Sequence, residues 1–376
     1  MAILIIFNKC INNIKKIYAI LLYFIIINKI IHFAKNQNYY FILNQNNYLN
    51  KYLSFKDKPL NLNDSVVIKE KINILNLLSK DVGRNITSID SIFLATECNF
   101  GNSIVILNKL LFYCEIIGCK TIILDKDIFW YIKRPITIMK YNISIKVDDK
   151  NHCNNKNSLY YNSLGIFYSV LGIKPEIRIN LIRNEIIRNL NKINIYKDDL
   201  YIHVRSGDIF IYPHSPYAQP PLCFYKEILN NNKFNKVYLI AQDKNNPIIE
   251  KMLKEYSNVI FMQNSLKEDI SYLINAYNIV ASISSFLNSI IQLNYNLKTL
   301  FDYNIYKISE KILSYHYDLF RFPHNNFIIY RMNPSSNYNK TMYIWKNSKK
   351  QKKLMFKEKC IKNFNVIQIA NKTISF

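Results

Sequence analysis

Apolar residues in this chain recur with two different periods, and the two kinds of stretch alternate. Between 236 and 301, short β-friendly runs are separated by segments with helical spacing. We predict strands at 236–241, 258–262, 278–282 and 299–301, the last being the final strand, with helices at 247–256, 268–276 and 285–293. Such regular alternation indicates a parallel sheet with helices on both faces.

A strand–helix–strand unit is predicted upstream, between 91 and 124. The strand 91–95 leads into a long helix that ends near Ile117, and Gly118 stands where a C′ residue is expected. Gly101 and Asn102 lie at the loop before this helix. Because the chain has only six glycines, we expect Gly101 to mark either a tight turn or a close approach of the backbone to a ligand.

The remaining stretches are less periodic. Residues 147–158 are loop-like, and 175–192 predicts one helix, interpreted as a hinge, before a strand at 200–204. A proline-dense loop at 212–221 is suited to a cleft wall or to a rigid connector. Beyond 321 the periodicity fades, and the lysine-rich run 346–359 predicts a solvated helix or tail.

The N-terminus combines lysines with an apolar run. Lys9, Lys15 and Lys16 precede apolar residues from 17 to 34, interrupted at 28–29, and no small-x-small cleavage site follows. We predict an uncleaved signal anchor in 1–35 and a stem in 36–70, with the remainder of the chain in the lumen of the Golgi or ER. A buried amphipathic helix is the alternative interpretation of the apolar run.

Composition limits the class of protein. A chain of 376 residues with 49% hydrophobic content is long enough for two domains and is not disordered. The net charge of +24 comes from scattered lysines, so we expect no nucleic-acid interface. Seven cysteines form no C-x-x-C pair, which argues against a zinc site. Sequons compatible with a lumenal protein begin at Asn63, Asn85, Asn142, Asn339 and Asn371.

The candidate chemistry is concentrated after the strand at 200–204. His203, Arg205, Gly207 and Asp208 follow one another there, and the carboxyl end of a strand is where open α/β sheets bind ligands. Because a guanidinium group bonds two phosphate oxygens at once, we interpret 201–210 as the phosphate end of a sugar-nucleotide site. The alternative is purely structural, with a buried histidine and a surface salt bridge between Arg205 and Asp208.

Two other pairs of polar residues are candidates for contact with an anion or a metal ion. Ser284 and Ser285 stand at a strand-to-helix junction, where serine either caps the helix or donates to an anion. Asp125 and Asp127 have the Asp-x-Asp spacing that holds Mn²⁺ in some glycosyltransferases. We interpret this second pair as a solvated strand end, so no metal site is predicted.

Three of these stretches, in this order, resemble the fucosyltransferase superfamily, which includes α1,2-, α1,6- and protein O-fucosyltransferases. Phe100-Gly101-Asn102 is similar to the family's Gly-Asn turn, and His203-Val-Arg205-Ser-Gly-Asp208 to its His-x-Arg-x-Gly/Thr-Asp motif. The residues from Asp269 to Phe286 are similar to its nucleotide-binding segment. The resemblance covers about 90–302. Ser206 departs from it, because many relatives have a second arginine there.

The resemblance implies an α/β fold of the GT-B type, with two Rossmann-like domains facing a cleft. The acceptor-side domain would span 71–193, the nucleotide-sugar domain 194–320, and an extension 321–376. It also implies inverting, metal-independent transfer of fucose from GDP-fucose to a glycan acceptor, with no further cofactor.

The resemblance also assigns roles to individual residues. Arg205 would bind the β-phosphate and stabilise the leaving GDP, and His203 would contact the nucleotide or brace Arg205. Asp269 would accept from guanine N–H groups, and Ser284 or Ser285 would donate to phosphate. The resemblance does not assign the catalytic base, for which Asp208 or Glu97 could serve. The other implied binding residues are Gly101, Asn102, Gly207, Asp243 and Phe286.

Overall fold

The computed structural model describes residues 65–83, 85–94, 99–148, 158–161, 179–213, 217–304, 326–360 and 364–369. The predicted signal anchor and most of the predicted stem, up to residue 64, lie outside these ranges, as does Glu97. Both sheets described below belong to one compact unit, residues 61–376.

The first sheet is built around the predicted strand–helix–strand unit. Its strands have the order β3-β4-β2-β1-β5; β1, β2, β4 and β5 are parallel, and β3 is antiparallel to β4. The predictions for 91–95, the long helix and 121–124 are confirmed, whereas β3, β4 and β5 were not predicted. The elements are α1 (Ser65–Val82), β1 (Ser91–Leu94), α2 (Phe100–Ile117), β2 (Thr121–Asp125), β3 (Ile136–Ile138), β4 (Ile143–Asp148) and β5 (Ser158–Tyr161). The first helix includes the last six residues of the predicted stem.

Helix α2 is the core helix of this sheet. Asn99 caps its first turn by accepting from the Asn102 amide, and Gly118, with φ of 80°, ends it in the left-handed conformation as predicted. The helix is buried on nearly every side and not along a single apolar stripe. Within the described residues it is the one helix long and apolar enough to span a membrane, but its burial marks it as a core element.

The second sheet has the order β12-β11-β10-β9-β6-β7-β8, in which every pair except β11–β12 is parallel. From β6 the chain adds β7 and β8 on one side, then returns to add β9, β10 and β11 on the other. A topological switch point therefore lies between β6 and β9, which is where doubly wound sheets bind ligands. The strands are β6 (Leu200–His203), β7 (Val237–Ile240), β8 (Val259–Met262), β9 (Asn278–Val280), β10 (Thr299–Tyr303), β11 (Phe327–Met332) and β12 (Asn365–Ile369).

The helices of this half agree with the predicted alternation. They are α4 (Asp208–Ile211), α5 (Leu222–Asn231), α6 (Pro247–Glu255), α7 (Leu266–Asn275), α8 (Ser285–Leu293), α9 (Ser336–Met342) and α10 (Lys349–Lys357), and α3 (Arg183–Arg188) precedes them. The lysine-rich run does contain a helix, α10, but its Gln351 and Met355 are buried. It is thus a packed element and not a free tail.

Two predictions about this half were wrong. The single helix at 175–192 is not formed in the described residues, which contain a 3₁₀ turn at Ile179–Ile182 and then the six-residue helix α3. The Asn189 side chain donates to the Glu185 and Tyr131 carbonyls where the helix stops, so a tertiary contact competes with its continuation. The strand at 299–301 is not the last, because β11 and β12 extend the sheet.

The C-terminal segment completes the core of the second sheet. Tyr338, Met342, Trp345 and Met355 are buried in the same apolar cluster as the strands β6 and β7. A disulfide between Cys223 on α5 and Cys360 joins positions 137 residues apart in sequence. The described residues after 325 are therefore integral to the half of the molecule that carries the candidate site.

Candidate functional site

The loops that follow β6 and β9 meet at the switch point. His203, the last residue of β6, is hydrogen-bonded through Nδ1 to Ser282 Oγ at 2.6 Å, and its ring lies 5.3 Å from that of Phe286. Burial, with a smaller effect of the Arg205 charge, lowers the pKa of His203 to about 3, so the imidazole is neutral at ordinary pH. His203 therefore links the two loops by bonding Ser282.

Arg205 is the cation of this crevice. Its side chain is 18% exposed, and Nη2 lies 2.7 Å from Oδ1 of Asp208, the half-exposed residue that opens α4. The guanidinium carbon lies 5.3 Å from the ring centroid of Tyr217, a cation–π distance. Its Nε is buried and finds no hydrogen-bond acceptor within the described residues. Arg205 thus has a donor to offer to a ligand.

The turn after Arg205 is organised by Asp243. Asp243 Oδ1 accepts from Ser206 Oγ at 2.5 Å and from the Gly207 amide at 3.1 Å. Gly207 has φ of 67°, and a Cβ there would overlap the Gln242 side chain, so glycine suits the position on both counts. Burial acts to raise the pKa of Asp243, but hydrogen bonds from Ser206, Asn245 and Gly207 outweigh it and leave the pKa lowered.

Ser206, the residue at which the sequence departs from the motif it resembles, has a structural role. It is 1% exposed, and besides donating to Asp243 it accepts from the Asn246 amide at 3.0 Å. The Asn246 side chain in turn donates to the Arg205 carbonyl at 3.1 Å. A guanidinium group at 206 would have to enter this filled space. The serine therefore fixes the backbone of Arg205 and adds no charge.

The serines after β9 begin the helix α8. Ser284 is its N-cap and accepts from the Phe286 amide at 3.2 Å, which is the capping alternative foreseen for it. Ser285 and Phe286 form the first turn and are half-buried. The start of α8 consequently lies beside His203, because the Phe286 ring packs on the imidazole.

Gly101 brings the two sheets together at this point. It lies in the first turn of α2 and not in a preceding loop, and a Cβ there would overlap the backbone of Ser285 and Phe286. The Ser289 hydroxyl also donates to the Gly101 carbonyl at 2.8 Å. The close approach foreseen for this glycine is thus an approach to another helix. The neighbouring Asn102 is half-buried, with its amide bonded to Asn99.

Asp269 lies in the first turn of α7, the helix that follows β8. Its Oδ1 accepts from the Asn264 side chain at 3.1 Å, and burial, reinforced by the charge of Glu268, raises its pKa to about 7. Among the described residues no direct bond joins it to the Arg205 loop. The carboxyl group therefore titrates near neutral pH, two strands away from the switch point.

The Asp-x-Asp pair does not form a solvated strand end as predicted. Asp127 is exposed, but Asp125 is 3% exposed and accepts from the Asp127 amide at 2.9 Å. An aspartate that turns the chain in this way satisfies a local amide and does not need solvent. The described ranges contain no cluster of three or more histidine, cysteine, aspartate or glutamate side chains placed to hold a metal ion.

Several residues that support the site loops were not predicted from the sequence. The carbonyl of Gln219, in the proline-dense loop, accepts from the buried Tyr338 hydroxyl at 2.6 Å, and Gln219 Oε1 accepts from Asn246 Nδ2 at 3.1 Å. Trp345 Nε1 donates to the Ile209 carbonyl at 3.0 Å. Only Trp345 could have been singled out from the sequence, because the chain has only two tryptophans.

No protein-family model and no curated protein matches the chain. Among solved structures, it is similar to the α-1,6-fucosyltransferase NodZ soaked with GDP-fucose, with 11% identity, a TM-score of 0.35, and coverage of 54% of this chain and 92% of NodZ. It is similar to the E. coli heptosyltransferase WaaC with ADP, with 10% identity, a TM-score of 0.31, and coverage of 56% and 86%.

A glycosyl transferase of family 9 from Veillonella parvula matches with 9% identity and a TM-score of 0.36, over 67% of this chain and 90% of that protein. Likenesses with TM-scores below 0.5 do not establish a function. Over half to two thirds of its length, the chain is thus similar to three solved glycosyltransferases.

Proposed function

We propose that this protein is a glycosyltransferase of GT-B architecture that moves fucose from GDP-fucose to a glycan hydroxyl. Transfer is inverting and independent of a metal ion, with Arg205 stabilising the leaving GDP. A transferase that uses another GDP-sugar is the alternative among enzymes. A carbohydrate-binding or scaffold protein that retains the fold without catalysis is the alternative among other classes.

The observation that carries this proposal is the unsatisfied Nε of Arg205. A buried donor without an acceptor is costly, and such groups commonly mark the place of a ligand or an ion. This one follows β6 at the switch point of a doubly wound sheet, two residues after His203, whose ring packs on Phe286 in the first turn of α8. A diphosphate would supply acceptors for both Nε and Nη2 and would displace Asp208 from the latter.

The resemblance to fucosyltransferases assigns the donor sugar. Its three motifs occur in the expected order, and two of them, His203–Asp208 and the serines before Phe286, are neighbours in space. The third, Gly101, packs against Phe286 and places the first sheet beside the same crevice. This arrangement supports two domains that meet at the donor site, with the described strands and helices beyond residue 325 belonging to the second of them.

Each of the other site residues has its own role in the proposed reaction. The Ser285 amide and hydroxyl at the start of α8 donate to phosphate, since a helix N-terminus favours anions. Asp269 accepts from guanine N–H groups in its ionised form. Asp208, once the diphosphate has displaced it from Arg205, is free to accept the acceptor's proton, while Glu97 is the other candidate base.

A lumenal location is part of the same proposal. The disulfide between Cys223 and Cys360 supports an oxidising compartment. Asn85 and Asn142 are exposed and open to glycosylation, whereas the sequon at Asn339 is buried, so no glycan is expected there in the folded protein. Anchoring by residues 1–35 completes a single-pass type II topology.

The decisive experiment is calorimetric titration of the full-length protein with GDP, using UDP as the control nucleotide. We expect GDP to bind and Arg205→Ala to abolish binding, with Arg205→Lys retaining part of the affinity because it keeps the charge but loses the planar fork. Transfer from GDP-fucose should fall about 10²- to 10³-fold in Arg205→Ala, the usual effect of losing one charge-stabilising donor.

The outcomes separate the alternatives. GDP binding without turnover on any glycan favours the scaffold protein. Turnover with a different GDP-sugar keeps the mechanism and changes only the donor. A folded protein that binds neither GDP nor UDP, or an Arg205→Ala variant that keeps full activity, overturns the proposal.

A further inference from the structure

A dense lysine surface lies on the C-terminal segment. The stretch 346–359 contains seven lysines in fourteen residues, whereas lysine and arginine together number 50 in all 376 residues, so the local density exceeds the general bias of the chain. We define the lysine surface as Lys346, Lys349, Lys350 and Lys353, all of which are exposed.

The orientation of these lysines is fixed by the helix that carries most of them. Gln351 and Met355 are buried, one helical turn apart, and the capping box of Ser348 and Gln351 begins α10. Gln351 Nε2 further donates to the carbonyls of Thr341 and Ile344. Lys349 and Lys353 consequently lie on the solvent side, opposite the buried face.

This surface adjoins the loop of the candidate site. Trp345 donates to the Ile209 carbonyl, and the Asn347 side chain donates to the Phe210 carbonyl at 2.6 Å. The Trp345 and Phe210 rings meet edge to face at 5.4 Å. Residues 345–347 therefore run beside 209–210, and the first lysines of the surface emerge within a few residues of the helix that begins with Asp208.

Exposed apolar side chains flank the same contact. Tyr212, which follows α4, is 76% exposed, and Ile344 is 50% exposed. An aromatic ring left in solvent beside a transfer site is suited to packing against a sugar face, while ammonium groups are suited to carboxylate or sulfate. An exposed aromatic ring together with ammonium groups therefore matches an acidic glycan more closely than a neutral one.

We propose that the lysine surface, with Tyr212, binds the acceptor of the reaction, and that this acceptor is an anionic glycan carrying carboxylate or sulfate groups. The inference rests on the proposed function, because an acceptor presupposes transfer. It adds a substrate class that neither Arg205 nor the motifs specify. An anionic membrane is the competing partner, since Phe356 on α10 is also exposed.

The test uses full-length protein and three probes: a heparin-derived octasaccharide, a neutral malto-octaose, and vesicles containing phosphatidylserine. The test variant changes Lys346, Lys349 and Lys350 to glutamine. The matched control changes three exposed lysines near the opposite, amino-terminal ends of the strands to glutamine, namely Lys233, Lys236 and Lys298. Both variants lose three positive charges, so an effect of net charge alone acts on them equally.

We expect the octasaccharide to bind the wild type and the control variant alike, and the test variant about tenfold more weakly at 0.15 M salt, as the loss of three exposed charge contacts implies. Tyr212→Ala should weaken binding further, and malto-octaose should bind poorly to all. GDP affinity should not change in the test variant, whereas Arg205→Ala should lose GDP and keep the octasaccharide.

Equal losses in the test and control variants would overturn the inference, because binding would then reflect net charge. Vesicle binding that depends on the three lysines, without octasaccharide binding, would overturn it in favour of a membrane surface. If GDP fails to bind while the octasaccharide still requires the lysines, the anionic-glycan site stands and the transferase proposal fails.

Discussion

Each side chain at the switch point has a partner that explains its identity, except for part of Arg205. His203 bonds Ser282, Ser206 bonds Asp243, and Ser284 caps α8. Asn246 donates to the Arg205 carbonyl and fixes its backbone, and Arg205 Nη2 bonds Asp208, while the buried Nε has no acceptor among the residues that the structure describes. The other contacts at the site are those of the purely structural interpretation, and the buried Nε of Arg205 is the observation that favours a ligand site.

Asp269 provides a test by pH. Its pKa in the folded protein is about 7, above the ordinary 3.8, so the folded state binds the proton more tightly and gains stability from it at low pH. This gain is lost as pH rises from about 4 to 7. We therefore expect Asp269→Asn to be increasingly more stable than the wild type over that window in urea unfolding, with no further change above it.

A neighbouring carboxylate supplies the control for that experiment. Hydrogen bonds from Ser265 lower the pKa of Glu268 below its ordinary 4.5, so its contribution is present above that pH and is lost on acidification. Glu268→Gln should therefore remove this loss of stability on acidification, and because it also removes a charge that raises the pKa of Asp269, it should move the Asp269 window towards lower pH without abolishing it. A flat difference between Asp269→Asn and wild type from pH 4 to 8 would contradict the raised pKa.

At the level of secondary-structure elements, the contact between α2 and α8 joins the two sheets. It depends on a glycine in the first turn of α2, where any side chain would meet the backbone of the first turn of α8. The ring of Phe100 lies 6.1 Å from that of Phe286 and extends the same contact. Because Phe286 also packs on His203, the position of the first helix is coupled to the candidate site.

Gly101→Ala should separate these two helices. Alanine favours helix intrinsically, yet the overlap is with backbone that cannot rotate away, so we expect a loss of unfolding free energy on the order of 3 kcal/mol. GDP affinity should fall with it, since the start of α8 moves. Thermal and urea unfolding, followed by titration with GDP, measure both effects.

The adjacent Asn102→Ala is the control for that variant. It lies in the same helical turn and is half-buried, and its contribution to the cap is through its backbone amide, which alanine keeps. We expect its stability to stay within about 0.5 kcal/mol of the wild type. A Gly101→Ala variant as stable as Asn102→Ala would show that the helices are not in contact.

In the molecule as a whole, the C-terminal segment supports the candidate site. Trp345 bonds the helix after Arg205, Tyr338 bonds the loop that carries Tyr217, and Cys360 is linked to Cys223 just beyond that loop. The helix α4 and the proline-dense loop, which both follow Arg205, are therefore held by residues more than a hundred positions away in sequence. We infer that removing the segment would disturb the site before it affected the first sheet.

The disulfide allows this dependence to be measured. Replacing Cys223 and Cys360 together by serine should lower the free energy of unfolding by about 2 to 5 kcal/mol, because a bridge across 137 residues restricts the unfolded chain strongly. Reductant should destabilise the wild type and leave the double variant unchanged. Cys119→Ser is the control, since Cys119 is buried but unbridged and should keep the response to reductant.

Local sequence determined much of this protein by itself. The alternation of periods from 236 to 301 predicted the strands and helices of the second sheet, and Gly118 marked the end of α2, because side-chain periodicity and left-handed caps are properties of a few adjacent residues. The position of Arg205 after a strand could also be predicted, because the strand pattern at 200–204 is local. The lysine-rich helix was foreseen, although not its packing.

Other features depended on contacts between distant parts of the chain. The close approach of Gly101 to Phe286, the pairing of Cys223 with Cys360, and the burial of Ser206 and Asp125 each involve neighbours or solvent exclusion that no local pattern encodes. The helix predicted at 175–192 failed because tertiary bonds to Asn189 outweighed helical propensity. Periodicity reports which face of an element is apolar, whereas the partner of that face is selected only when the whole chain packs.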